Sequence, residues 1–129
     1  MSVPSRRILR VEKYVKKILE ANVYDVAIQT PLEMAPLLSS RTGSEVLLKR
    51  EDMQPVFSFK IRGAYNKISR LTPSEKKKGV ITASAGNHAQ GVAMAATRLG
   101  IRSKIVMGEN TPSIKVDAVK AFGGEVILH

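Results

Sequence analysis

Cysteine and tryptophan are absent from this chain of 129 residues. Without cysteine there is no disulfide framework and no thiolate metal site, and the absence is compatible with a reducing compartment. Aromatic residues make up only 5%, so aliphatic side chains and alanine must fill the core. At 43% hydrophobic residues that core is real but modest for a chain of one-domain length. Histidine occurs twice, as His88 and His129, and neither has a partner at metal-ligand spacing, so no metal is expected. No apolar run approaches a membrane span, so no membrane partner is expected. There is no G-x-S-x-G elbow, no P-loop and no G-x-G-x-x-G fingerprint, which leaves Ser84 a poor candidate for a hydrolase nucleophile.

Acidic residues are also scarce, 11 against 21 Lys and Arg, for a net charge of +10. Such a balance invites a nucleic-acid reading. The basic residues, however, are spread along the chain and lack an aromatic–basic stacking stretch, so no nucleic-acid partner is expected. The densest stretch holds Arg6, Arg7, Arg10, Lys13, Lys16 and Lys17 against Glu12 alone. Helical spacing gathers Ile8, Val11, Val15 and Ile18 on one face there, so the charges read as a solvated helix face. Lys76-Lys77-Lys78 reads as a solvated loop. Residues 1–10 contain Arg and Ser and no acid, as organelle-targeting sequences do. The expected location is therefore the cytoplasm, or a mitochondrion or plastid if this opening is a targeting signal.

Residues 8–21 predict an amphipathic helix stopped near Asn22, and residues 23–31 an irregular stretch. Thr30-Pro31 then introduces a short helix over Leu32 to Arg41, ended by Gly43. From Ser44 onward the pattern is regular. Strands are expected at 46–49, 80–83, 104–107 and 125–128. Helices are expected at 58–70 with Ser58 as N-cap, at 87–99 closed by Gly100, and from Thr111-Pro112 to about Phe122 with Gly123-Gly124 as stop. This alternation implies an α/β fold with a parallel sheet and right-handed crossovers. Residues 1–43 read as an N-terminal helical segment belonging to a large domain, and residues 44–129 as a small parallel α/β domain truncated at its C-terminus. The last strand ends the chain without a following helix or cap, as in a fragment of a larger architecture.

Two runs carry the chemistry. Ser58-Phe59-Lys60-Ile61-Arg62-Gly63-Ala64 puts a lysine at the start of a helix. A lysine amine can form a Schiff base with a carbonyl compound, and pyridoxal phosphate is commonly held that way. Ser84-Ala85-Gly86-Asn87-His88-Ala89-Gln90-Gly91 puts a polar turn between a strand and a helix. Gly86 admits close approach of a ligand, Asn87 offers a donor and an acceptor, and the helix N-terminus favours a carboxylate or phosphate. By pattern alone, the favoured reading of Lys60 is an exposed lysine on an amphipathic helix, and that of Ser84–His88 an ordinary capping turn with Asn87 as cap and His88 on the surface. In the expected sheet both runs lie at the carboxyl ends of strands, where such sheets bind ligands.

The stretch from Lys49 to Tyr65 resembles the lysine motif of the serine/threonine dehydratases, and Ser84 to Ala93 resembles their asparagine loop. Thr111 to Val119, Val23–Ala27 and Thr30-Pro31-Leu32 also fit, so the resemblance spans about residues 12–129 and is strongest to the threonine-deaminating, biosynthetic members. It implies an N-terminal fragment of a fold-type II (tryptophan synthase β-like) pyridoxal phosphate enzyme with a three-layer parallel sheet. The implied activity is conversion of L-threonine to 2-oxobutanoate and ammonia, the first committed step of isoleucine synthesis. Lys60 would hold the cofactor and act as the catalytic base. Phe59 would lie against the cofactor, and Asn87 would bond its 3′-oxygen. Ser84, Ala85, Gly86, Asn87 and His88 would hold the carboxylate of a small amino-acid substrate. The resemblance implies homo-oligomeric assembly of full-length members. The resemblance also implies that the glycine-rich phosphate loop lies downstream of residue 129, so this piece alone is expected to turn over little. The alternatives are a serine racemase or serine dehydratase-like enzyme, and a catalytically inactive truncated member. Ala85 stands where the racemases carry a second serine, which favours a dehydratase.

Overall fold

The computed structural model describes residues 6–129, with side chains from Val11 onward. The Arg- and Ser-containing opening, and the side chains of Arg6, Arg7, Ile8 and Arg10, lie outside the described residues. Helix α1 (Arg6–Leu19) forms over the amphipathic stretch, but its apolar residues Val11, Val15, Ile18 and Leu19 stay exposed. A single 3-10 turn follows at Val23–Asp25.

The helix expected over Leu32 to Arg41 is shorter. Leu32–Met34 is instead a strand, β1, and helix α2 spans Pro36–Thr42. Proline sits at the first helical position, where its missing N–H costs nothing, and it forces the preceding residue out of helical geometry. Ala35 accordingly has φ −106° and ψ 84°, so the helix cannot reach back through it. Gly43 closes α2 in the left-handed region, φ 65°, as expected.

Strand β2 (Leu47–Lys49) exists but does not join the parallel sheet. It pairs antiparallel with β1, Leu32 opposite Lys49 and Met34 opposite Leu47. The segment between them, most of it helix α2, is short enough that this local pairing closes at low entropic cost. Ser39 pins the corner: its Oγ donates to Ala35 O and accepts the Val46 N–H, both at 2.9 Å.

Helix α3 (Lys60–Ser69) starts two residues later than the sequence suggests. Ser58 is buried, and its Oγ accepts the Lys60 N–H at 3.4 Å rather than bonding a later turn. Helix α4 (Pro73–Lys78) replaces the expected lysine loop. Thr72 and Glu75 form a reciprocal capping box, Pro73 opens the helix, and the three lysines sit at the carbonyl end, where the helix dipole favours cations.

Strands β3 (Val80–Ala83), β4 (Ser103–Met107) and β5 (Glu125–Leu128) form a parallel sheet in that order. Val80 lies opposite Ser103, and Lys104 opposite Glu125. Helices α5 (Asn87–Arg98) and α6 (Ser113–Ala121) are the crossovers. Successive right-handed crossovers in one direction place both on one face of the sheet. Ile105 and Met107 of β4 face that helical layer, and α3 packs on α5 from the far side. The core is where these layers meet: Ile61, Ala64, Tyr65 and Ile68 of α3 with Ala89, Val92, Ala93, Ala95 and Ala96 of α5. An alanine-rich α5 lets α3 approach closely, and burying each isoleucine contributes ~1.5–3 kcal/mol.

Candidate active site

The lysine run begins in a loop with a regular rhythm. Gln54, Val56 and Ser58 are buried, while Phe57, Phe59 and Lys60 face outward. Phe57 has φ 55°, the one non-glycine residue with positive φ among the described residues. An aromatic residue in that region is strained by ~1–2 kcal/mol, and such strain clusters where surrounding structure imposes it. Here the constraint comes from Gln54, only 1% exposed. Its Oε1 accepts the Ile28 N–H at 3.0 Å, and its Nε2 donates to Ile28 O at 2.9 Å. The outcome is an exposed Lys60 at the first position of α3, its Nζ 4.9 Å from the centre of the half-exposed Phe59 ring.

A charged network braces the other side of this loop. Arg62 donates to both carboxylate oxygens of Glu51, from Nε at 2.8 Å and from a terminal nitrogen at 2.9 Å. Thr30 Oγ1 donates to the same carboxylate at 2.6 Å, and Gln54 Nε2 at 3.3 Å. The guanidinium of Arg62 also bonds Ile28 O at 3.2 Å and lies 5.4 Å from the Tyr24 ring centre. The Arg62 bonds, aided by Thr30 and Gln54 and opposed by burial, hold the Glu51 carboxyl at a pKa of about 2. Tyr65 is pushed above its usual range by burial and by donating to Asp25 at 2.9 Å.

The asparagine run starts where β3 ends. Ser84 N–H donates to Val106 O at 3.0 Å, which is the last bond to the sheet. Ala85 then turns outward, and Gly86, extended rather than left-handed, is the N-cap of α5. Asn87 is therefore the first helical residue, not the cap. Gly86 N–H donates to Ser84 Oγ at 3.3 Å, and Ala89 N–H returns to Gly86 O at 3.0 Å. Asn87 and His88 are exposed at the helix start, where the first N–H groups have no partner within the helix. A Cβ added at Gly86 would meet nothing within 4 Å.

Lys60 does not follow a strand of the parallel sheet, because β2 belongs to the other sheet. Helix packing brings the two runs together instead. A Cβ at Gly91 would stand 3.1 Å from Lys60 C and 3.2 Å from Lys60 O. Asn87 lies one helical turn before Gly91 on the same face of α5, so the start of α5 and the start of α3 adjoin. Glu51, Gln54, Phe57, Arg62 and Gly91 lie in the quoted motifs, but the sequence assigns none of them a function of its own. Nothing in the order of residues links Glu51 to Arg62, and Gly91 gains its part only from the packing of α5 on α3.

A family model described as "Pyridoxal-phosphate dependent enzyme" matches residues 23–129. The chain belongs to this pyridoxal-phosphate dependent enzyme family. L-threonine dehydratase biosynthetic IlvA of Pasteurella multocida is 61% identical over 117 residues, covering 91% of this chain and 23% of that protein. Threonine dehydratase 2 biosynthetic, chloroplastic, of Solanum lycopersicum is 60% identical over 91% of this chain and 20% of its own length. The chain thus spans 20–23% of the length of these curated relatives. The solved processed form of threonine deaminase isoform 2 from Solanum lycopersicum aligns with a TM-score of 0.87 at 58% identity, over 93% of this chain and 35% of that one. Maize serine racemase aligns with a TM-score of 0.82 at 38% identity, over 88% and 35%. The fold-type II α/β architecture expected from the motifs is the one this chain shares with its solved relatives.

The residues present fit the family's cofactor. An exposed lysine amine suits its aldehyde, the Phe59 ring beside that amine suits a flat heterocycle, and the start of α5 suits an anion. The open space over Gly86 leaves room for a ligand against the backbone. Among the described residues no helix is long and apolar enough to cross a membrane.

Proposed function

We propose that this chain supplies the lysine and the carboxylate-binding loop of a pyridoxal phosphate-dependent lyase that converts L-threonine to 2-oxobutanoate and ammonia, the first committed step of isoleucine synthesis. The observation that carries the reading is the packing of the Lys60 main chain against Gly91, one turn into the helix that the asparagine run opens, in a chain 61% identical to a threonine dehydratase. Lys60 Nζ would hold the cofactor, with Phe59 against its ring and Asn87 on its 3′-oxygen. When bound, the cofactor supplies an electron sink for the pair left on the substrate's α-carbon. Ser84 Oγ and the N–H groups from Ala85 to His88 would hold the substrate carboxylate, aided by the helix dipole. Lys60 Nζ would accept the α-proton and the β-hydroxyl would then leave. Addition of water and release of ammonia complete the balance of threonine to 2-oxobutanoate plus ammonia.

A serine racemase reading draws on the likeness to the maize enzyme. Racemisation needs a proton donor on the second face, and at the position where the resemblance expects a serine this chain has the methyl group of Ala85. The reading further takes residues 1–43 and 44–129 as parts of two different domains of the enzyme, joined by the β1–β2 pairing. It includes homo-oligomeric assembly, no nucleic-acid partner, and a location in the cytoplasm or in an organelle such as a plastid.

The test is titration of the purified chain with pyridoxal phosphate, followed by borohydride reduction and peptide mapping. A single reduced adduct on Lys60, lost in Lys60→Ala, is expected. Labelling scattered over many lysines would overturn the reading. Because Phe57 and Phe59 leave the lysine open to water, at 73% and 58% exposed, the 129 residues alone should capture cofactor but form little 2-oxobutanoate. D-serine formation from L-serine would instead support the racemase.

A further inference from the structure

We infer that Gly91 is a positioning residue for Lys60, its missing side chain fixing how far the lysine peptide stands from the asparagine loop. The inference rests on the reading of Lys60 as the cofactor-holding residue. Three glycines show what is special about this one. At Gly63, on the exposed side of α3, an added Cβ would meet nothing within 4 Å. At buried Gly124 it would meet side chains, Val119 Cγ1 at 2.8 Å and Ala93 Cβ at 2.9 Å. At Gly91 it would meet main chain: Lys60 C at 3.1 Å, Lys60 O at 3.2 Å and Ile61 N at 3.3 Å.

Main-chain atoms inside a helix cannot rotate out of the way. A methyl group there must push α5 and the first turn of α3 apart by a few tenths of an ångström. Lys60 is the first residue of α3, so the shift passes directly to its Cα. On the other side of the contact, Asn87 stands one turn down the same face of α5. Gly91 is not in the left-handed region, and a glycine inside a helix is unfavourable relative to alanine. Its occurrence in an otherwise alanine-rich helix is thus explained by the contact with Lys60 and not by backbone conformation.

The experiment compares Gly63→Ala, Gly91→Ala and Gly124→Ala in the full chain. It uses thermal unfolding, borohydride mapping with pyridoxal phosphate, and amide NMR shifts without cofactor. Gly91→Ala should move the Lys60 and Ile61 amide resonances and lower the rate of Lys60-specific labelling about tenfold, as small misplacements of reacting groups do. Gly124→Ala should lose thermal stability while its folded fraction labels Lys60 at the parent rate, and Gly63→Ala should match the parent in both. Gly91→Ala that labels Lys60 at the parent rate, or that unfolds where Gly124→Ala folds, would overturn the inference. One measurement needs no variant to fold: fixing pyridoxal phosphate on Lys60 should shift the Gly91 amide resonance and leave that of Gly124 in place, and an unmoved Gly91 would overturn it too. If the parent does not label Lys60 selectively, the cofactor reading fails, while the amide shifts of Gly91→Ala still judge the positioning contact.

Discussion

Glu51 ties together two stretches that are far apart in sequence. Its carboxylate takes both prongs of Arg62, two residues beyond Lys60, and the hydroxyl of Thr30 from the N-terminal segment. Removing one member of a largely buried pair leaves the other charge without a partner. Glu51→Gln should lower stability by ~2–3 kcal/mol at pH 7, measured by urea unfolding. The pH dependence has a definite sign. The folded-state pKa of about 2 lies below the ordinary value of 4.5, so the stabilisation is complete above the ordinary value and is lost as pH falls through about 2. The gap between parent and Glu51→Gln should therefore shrink from pH 5 downward and nearly close at pH 2. A gap that stays constant across that range would show that the carboxylate charge contributes nothing. Phe57 is the complementary case. Its left-handed backbone is flanked by the buried Val56 and Ser58, and the next outward residues, Phe59 and Lys60, face solvent.

At the scale of elements, α4 shows a helix made by local signals alone. None of its residues is buried, so its stability comes from the Thr72–Glu75 capping box, from Pro73 at the first position and from the terminal lysines. Thr72→Ala should cost ~1 kcal/mol, read as faster hydrogen exchange at the amides of residues 76–78 with little change at α5. Uniform protection loss across both helices would show that α4 is instead part of the common core. Thr72-Pro73-Ser74-Glu75 carries that capping signal, but the run of lysines after it reads more readily as a loop. The opposite holds at Leu32–Met34, where Thr30-Pro31 suggests a helix start and Pro36 forbids it. Asn87 gives a third case. Its polar side chain suits a cap, yet Gly86 takes that place because the chain leaves β3 extended.

At the scale of the molecule, much apolar surface is left uncovered. Ile18 and Leu19 on α1 are 70% and 81% exposed, and Ile81 on the edge strand β3 is 69% exposed. Contiguous apolar patches of this kind bind apolar probes and limit solubility. The chain should enhance the fluorescence of an apolar dye such as ANS, and Ile18→Gln with Leu19→Gln should cut the enhancement without lowering the unfolding temperature. A lowered unfolding temperature would mean that α1 packs on the core in solution. The net charge of +10 opposes association, so solubility should fall as salt screens the repulsion.

Sequence alone determined the regular half of this protein. From Val80 onward, strands and helices fall where periodicity and terminating glycines place them, because each is set by neighbours within a few residues. The two chemical runs were legible for the same reason, each being a contiguous string of residue types. Tertiary structure alone decided which strands pair. Leu47–Lys49 reads as a first parallel strand, and only the competition for its hydrogen bonds gives it to Leu32–Met34. It also decided what braces Lys60. The partners Glu51 and Arg62, Gln54 and Ile28, and Gly91 and Lys60 are distant in sequence, and no local rule relates them. Gly91 and Lys60 meet because α3 packs closely on α5, and the other two pairs meet because the loop before α3 folds back onto the N-terminal segment at Ile28 and Thr30.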